Sequence, residues 1–273
     1  MNNYRLVALV VGLIAVGALA IAMPGCGMVN KLRAKNDLNE GVREYNMGKF
    51  AVAQQQFKTA LDLDPDNANA QLFYSRSLNA QFEQKQTEEA GLKTAESYEN
   101  IIKHSKGNDK AADQALAFES HVYEQLASIN PDKADEYKNK QYELLLKRGD
   151  LPSADDKTKA AVYYTIGRAY WQDAYNTSKQ YTKNGVQQGA IPADAVEKLK
   201  PLNLKAHEYL TKAIAHEPDY ADAWAINKLV YIQDRMIETN SARKAEIEAK
   251  INEANDNAKK YYDLQKAAAT QGS

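Results

Sequence analysis

Residues 48–67 read GKFAVAQQQFKTALDLDPDN, and residues 204–220 read LKAHEYLTKAIAHEPDY. Ala53, Phe57, Ala60 and Pro65 in the first phrase correspond to Ala206, Leu210, Ala213 and Pro218 in the second, at the same intervals of four, three and five residues. Intervals of four and three place the first three residues of each set on one face of an α-helix. Small side chains there let a second helix approach closely, and the larger residue fills the space beside the contact. The proline has no N–H to donate and closes the helix. Each phrase therefore reads as the second helix of a hairpin, and its recurrence predicts a repeated unit.

The first helix of each hairpin lies upstream. Gly41 precedes the first phrase, and VYYTIGRAYW, holding Tyr163, Ile166, Gly167 and Tyr170, precedes the second. The set Gly41, Gly48, Phe50, Ala53, Phe57, Ala60 and Pro65 resembles the tetratricopeptide repeat (TPR), a helix-turn-helix unit of about 34 residues. Two further units adjoin these. One runs from ANAQLFYSRSLNAQF, with Ser75 at the small position, into TEEAGLKTAESYENIIKH; the other begins at YADAWAINKLVYIQ, with Trp224 and Tyr231, and ends in a long polar helix over residues 241–268. Residues 109–149 read as a degenerate pair, with Asn130 as N-cap and Pro131 at the first helical position.

The resemblance implies an all-α, TPR-type α-solenoid, a right-handed superhelix of hairpins over residues 37–268. An insertion at about 175–201 splits one repeat; Gly185, Gly189, Pro192 and Pro201 mark it as a loop with one short helix starting at Pro192. Residues 269–273 are read as a tail.

The amino terminus is a different material. Residues 6–23, LVALVVGLIAVGALAIAM, form an apolar run of 18 residues. As a helix it would extend about 27 Å, close to a bilayer's hydrocarbon thickness of about 30 Å. The following MPGCG places Cys26, the only cysteine, where a bacterial lipoprotein signal is cut, although Met23 and Pro24 depart from the usual lipobox. Residues 1–26 are thus read as a signal peptide with lipid attachment at Cys26, or as an uncleaved membrane anchor, and residues 27–36 as a linker. Lys31, Arg33 and Lys35 favour the anchor, because positive charge after an uncleaved span stays on the cytoplasmic side.

Charge and motifs narrow the function. A net charge of −1 from 35 basic and 36 acidic residues leaves no basic excess for nucleic acid. Asp62, Asp64 and Asp66 begin like an EF-hand, but the position needing a bidentate glutamate is Phe73. The four histidines lack zinc-ligand spacing, and no phosphate-cradling or nucleophile-elbow motif occurs. No cofactor, metal or catalytic activity is expected.

In the family resembled, the first helix of each unit lines a concave groove that holds an extended peptide or a partner's helix. Carried across residue by residue, this implies a partner-binding face of Asn69, Leu72, Arg76, Asn79 and Ala80, and another of Ala161, Tyr164, Arg168, Trp171 and Gln172. Asn69, Arg76, Asn79, Tyr164, Arg168 and Trp171 are the principal candidates, since amides, guanidinium and aromatic rings suit peptide recognition. The alternative for Tyr164 and Trp171 is packing against a neighbouring repeat. The paired Lys and Asn residues of the family's carboxylate clamp are not reproduced. The functional expectation is a membrane-tethered, periplasm-facing scaffold for protein partners in envelope assembly. The alternatives are a cytoplasm-facing anchored adaptor and a non-catalytic accessory of a cell-wall enzyme.

Overall fold

The structure is a computed structural model that describes residues 25–105, 107–183 and 186–271. Among them are ten α-helices: α1 (Gly25–Asn46), α2 (Phe50–Leu63), α3 (Ala68–Lys85), α4 (Glu88–His104), α5 (Asp109–Ile129), α6 (Ala134–Gly149), α7 (Asp156–Ser178), α8 (Ala193–His216), α9 (Ala221–Ile237) and α10 (Ser241–Gln271). The chain divides into two compact units, the first ending at Ile101 and the second beginning at Ile102. The apolar run 6–23 and the side chain of Cys26 lie outside the described residues. No helix among the described residues is long and apolar enough to cross a membrane.

In the first unit, α1 and α2 form a hairpin whose turn contains Gly48 at φ +75°, a left-handed conformation that costs glycine little. Ala53, Phe57 and Ala60 are fully buried, as their shared face requires. The helix stops at Leu63, two residues before Pro65, and the Asn67 side chain then caps α3 by accepting from Ala70 N at 3.1 Å. Phe57 stacks on Phe73 of α3 at 5.5 Å between ring centroids, which carries the packing into the next hairpin. Ser75 is buried and donates its hydroxyl to the Gln71 carbonyl at 3.1 Å, so a small polar side chain serves without an orphaned donor. Residues 27–36, expected as a linker, are helical and continue α1; fully buried Ala34 packs in a cluster with Ala60 and Ala70.

In the second unit, α5 and α6 form one hairpin, α7 and α8 a second, and α9 and α10 a third. Ala206, Leu210 and Ala213 of α8 are fully buried together with Ala223 and Val230 of α9. α8 ends at His216, two residues before Pro218, as α2 ends before Pro65. Asn130 does not cap the helix that follows it. Its side chain donates to the Leu126 carbonyl at 3.0 Å, closing α5, and Pro131 opens a short 3-10 turn before α6.

The insertion differs from its expected form. α7 runs on to Ser178, a two-stranded ribbon pairs Thr182 with Gln187, and α8 begins directly after Pro192. The helix after Pro192 is neither short nor separate: it passes through Pro201 and continues to His216. A proline in a helix interior costs about 3 kcal/mol. Burial offsets it, since Ala195, Leu199 and Asn203 are all within 4% of full burial. Ala174, Ile191, Ala195 and Leu199 form a small core of their own, against which Tyr181, Met236 and Ile237 pack. Residues 269–271, expected as tail, extend α10.

Candidate partner-binding site

Within each of the two hairpins that carry the sequence pattern, a glycine of the first helix lies close against the second helix. A Cβ built on Gly41 would lie 2.5 Å from Cε1 of Phe57, and one built on Gly167 would lie 2.8 Å from Cγ of Leu210. These glycines let each first helix settle against its second, which fixes the rotation of α1 and α7 about their axes. That rotation decides which side chains remain for a partner.

On α7 the candidates divide between two faces. Tyr164 and Trp171, seven residues apart, pack against the buried cluster of α8 and α9, and the Tyr164 ring lies 4.9 Å from that of Tyr220. Trp171 stacks on Tyr175 at 5.7 Å. Arg168 and Gln172, one turn apart, line a cleft of about 530 Å³ between α7 and the α5/α6 hairpin. Arg168 is exposed, and its guanidinium lies 6.0 Å from the Tyr164 ring, so one residue of the expected set is held by another.

The rest of the cleft was not nominated from sequence. Glu124, Ala127 and Ser128 come from α5, Ala134, Lys138, Gln141 and Tyr142 from α6, and Thr165, Ala169 and Asp173 from α7. Three alanines among the lining residues present little bulk to an approaching backbone, and amides and hydroxyls line the cleft with them. The Glu124 carboxyl is held below the usual carboxylate range, chiefly by its hydrogen bond to His121 at 3.0 Å, with Arg168 adding a smaller attraction against partial burial. Lys138 reaches both oxygens of Asp173 at 2.8 Å, tying α6 to α7 along the rim. The Tyr142 hydroxyl is buried with no hydrogen-bonding partner, and burial pushes its ionisation upward. Spacing on α5 offered one clue: Glu124, Ala127 and Ser128 share a helix face by their intervals of three and four.

On α3, Arg76 lies 5.4 Å from the Phe73 ring and 5.6 Å from the Tyr45 ring. Asn79 donates to Glu83 at 2.8 Å, and Asn69 is exposed in the first turn. These three share α3. Among the described residues, no group of His, Cys, Asp and Glu is placed to hold a metal ion.

No family model matches the chain, and no curated protein sequence matches it. Among solved structures, the chain is similar to the crystal structure of MamA protein, at 17% identity and a TM-score of 0.47, over 85% of this chain and 94% of that one. It is also similar to a chain of the APC/C hetero-tetramer Cut9-Hcn1, at 15% identity and a TM-score of 0.32, over 84% of this chain and 43% of that one. Each unit contains an antiparallel α-helical hairpin of the repeated kind, α1/α2 in the first and α7/α8 in the second. These two hairpins share a glycine at the close contact and a helix end two residues before a proline.

Proposed function

We propose that this protein is a membrane-tethered scaffold that holds an extended segment of a protein partner in the cleft between α7 and the α5/α6 hairpin. The observation that carries this reading is the cleft's composition: Arg168 and Glu124 offer opposite charges, Gln172 and Ser128 offer amide and hydroxyl groups, and Ala127, Ala134 and Ala169 are among the lining residues. A peptide backbone needs such donors and acceptors, while small alanine side chains leave room for many partner side chains. The planar guanidinium of Arg168, 6.0 Å from the Tyr164 ring, suits bidentate pairing with a carboxylate.

Tethering is read from the apolar run 6–23 and from Cys26 beside it. In the exported form the signal is removed, lipid is attached to Cys26, and the scaffold works in assembly of the bacterial envelope. Lys31, Arg33 and Lys35 favour a second reading, in which the run stays as an anchor and the repeats face the cytoplasm. Intact mass with palmitate labelling separates them: loss of residues 1–25 with lipid on Cys26 supports export, and a full-length unlabelled chain supports the anchor.

The cleft is tested by a photo-cross-linking amino acid at Gln172, compared with one at exposed Lys212 on α8. The expected result is a discrete partner adduct at Gln172 alone, lost when Arg168→Glu is added. An adduct that survives Arg168→Glu undiminished places the partner elsewhere.

A further inference from the structure

The first two turns of α1 carry an apolar stripe that no part of the repeat covers. Met28, Val29 and Leu32 are 77%, 49% and 62% exposed. At about 100° per residue, the three fall within an arc of about 100°. Ala34, fully buried against the repeat, stands about 160° around the helix from Leu32. The stripe therefore faces away from the core. Lys31 and Lys35 border it on one side and Arg33 on the other, all three exposed, and residues 25–36 contain no acidic residue.

We propose that this stripe lies in the headgroup region of an anionic bilayer, with Met28, Val29 and Leu32 entering the acyl boundary and Lys31, Arg33 and Lys35 meeting lipid phosphates. The inference rests on the membrane-tethered reading above and goes beyond it, since it assigns α1 itself as a second lipid contact. Two features select this occupant. The apolar run ends at Met23, five residues before Met28, so the stripe stays within about 18 Å of its end even on fully extended backbone. Lipid on Cys26 would bring it closer still, so either form of tether presents the stripe to the same surface. The basic border then matches an anionic surface, and long lysine side chains can rest their stems on the apolar stripe while their charges reach phosphates. A single acyl chain binds a membrane only marginally, and a chain with a basic patch binds firmly. The stripe would supply the second signal and set the orientation of the first hairpin at the bilayer.

The test uses the full chain with Cys26→Ala, carrying either Leu32→Cys or, as control, Val52→Cys on α2, where the native valine is 48% exposed. Each thiol is labelled with an environment-sensitive fluorophore, and the protein is reconstituted into phosphatidylcholine vesicles with or without phosphatidylglycerol. The expected result is flotation with the vesicles, a blue shift and quenching by headgroup-region spin-labelled lipid at residue 32 but not at 52. The shift should be larger with phosphatidylglycerol and lost on Lys31→Glu with Lys35→Glu. A chain that floats while the probe at residue 32 still reports water overturns this inference and leaves tethering intact. A chain that fails to float overturns this inference and the anchor reading, while palmitate labelling of the native chain tests the lipid on Cys26 separately. Equal shifts in the two lipid mixtures overturn the assignment to anionic lipid.

Discussion

Gly167 of α7 and Leu210 of α8 lie so close that a Cβ on the glycine would come within 2.8 Å of Leu210 Cγ and 3.1 Å of the Leu210 backbone nitrogen. The Ala206 carbonyl oxygen would be 3.2 Å away. Two of these three atoms belong to a helix backbone and cannot swing aside. Gly167→Ala should therefore destabilise the protein by about 1–3 kcal/mol, even after alanine's helix advantage of about 1 kcal/mol is credited. Gly149 is the control: the nearest atom to its Cβ would be 3.7 Å away, an ordinary contact. Gly149→Ala should leave stability unchanged or raise it by up to about 1 kcal/mol. Urea unfolding of both variants checks the contrast, and equal losses would remove the close-approach argument.

Gly41 faces a side chain instead of a backbone, with Cε1 and Cδ1 of Phe57 at 2.5 and 2.6 Å from a built Cβ. The ring is fully buried and stacked on Phe73, so it has little room to rotate. Gly41→Ala and Phe57→Leu should each destabilise, yet together cost less than their sum by about 1 kcal/mol, because the smaller side chain makes room for the methyl. Additive losses in that double-mutant cycle would show that the two residues do not compete for space.

His207 bridges α8 to α9. Nδ1 lies 2.7 Å from Asn227 Oδ1 and Nε2 lies 2.7 Å from Asp234 Oδ2, while Asn203 donates to the other Asp234 oxygen at 2.8 Å. Asn227 is buried and Asp234 is only partly exposed, so deleting the imidazole leaves partners that water reaches poorly. His207→Leu should cost about 1–3 kcal/mol. Chemical denaturation of this variant showing no loss would mean that solvent already satisfies the network.

Several tyrosines make the fold sensitive to alkali. Burial pushes Tyr98 and Tyr142 upward, and Tyr220 is pushed up to about 12 mainly by burial; Tyr262 is raised to about 12 chiefly by its hydrogen bond to Asp222. The unfolded chain ionises tyrosine near pH 10, so the folded state binds these protons more tightly. Their contribution is complete below about pH 10 and is lost as pH rises toward the folded values. The last part of the phenolate absorbance change and the loss of helical circular dichroism should coincide in one cooperative step above about pH 10. Complete ionisation of all the tyrosines while the helices persist would contradict the burial of Tyr98 and Tyr142.

Tyr142 also permits a simpler test. Its hydroxyl is buried without a partner, so Tyr142→Phe removes an unsatisfied group and keeps the ring that packs beside Tyr170 at 5.3 Å. Stability should be unchanged or rise by up to about 1 kcal/mol. A marked loss of stability would show that the hydroxyl makes a bond essential to the fold.

The hairpins were readable along the chain because their determinants are local. Ala53, Phe57 and Ala60 share a helix face by spacing alone, and Pro65 ends that face by lacking an N–H; the same reasoning applies to Ala206, Leu210, Ala213 and Pro218. The insertion was misread for the complementary reason. Pro201 is a helix breaker by itself, and only the burial of Leu199 and Asn203 on either side of it makes one continuous helix the better state. The candidate site shows the same division. Periodicity groups Tyr164 with Trp171 and Arg168 with Gln172, but it cannot say which neighbour each pair meets. Tertiary packing turned the aromatic pair toward α8 and α9 and the polar pair toward a cleft completed by Glu124, Ser128 and Lys138. That second wall belongs to a hairpin with a degenerate repeat pattern, more than thirty residues away in sequence for Glu124 and Ser128. Helical spacing is a property of one segment; a cleft is a property of two, and their meeting is decided by the whole core.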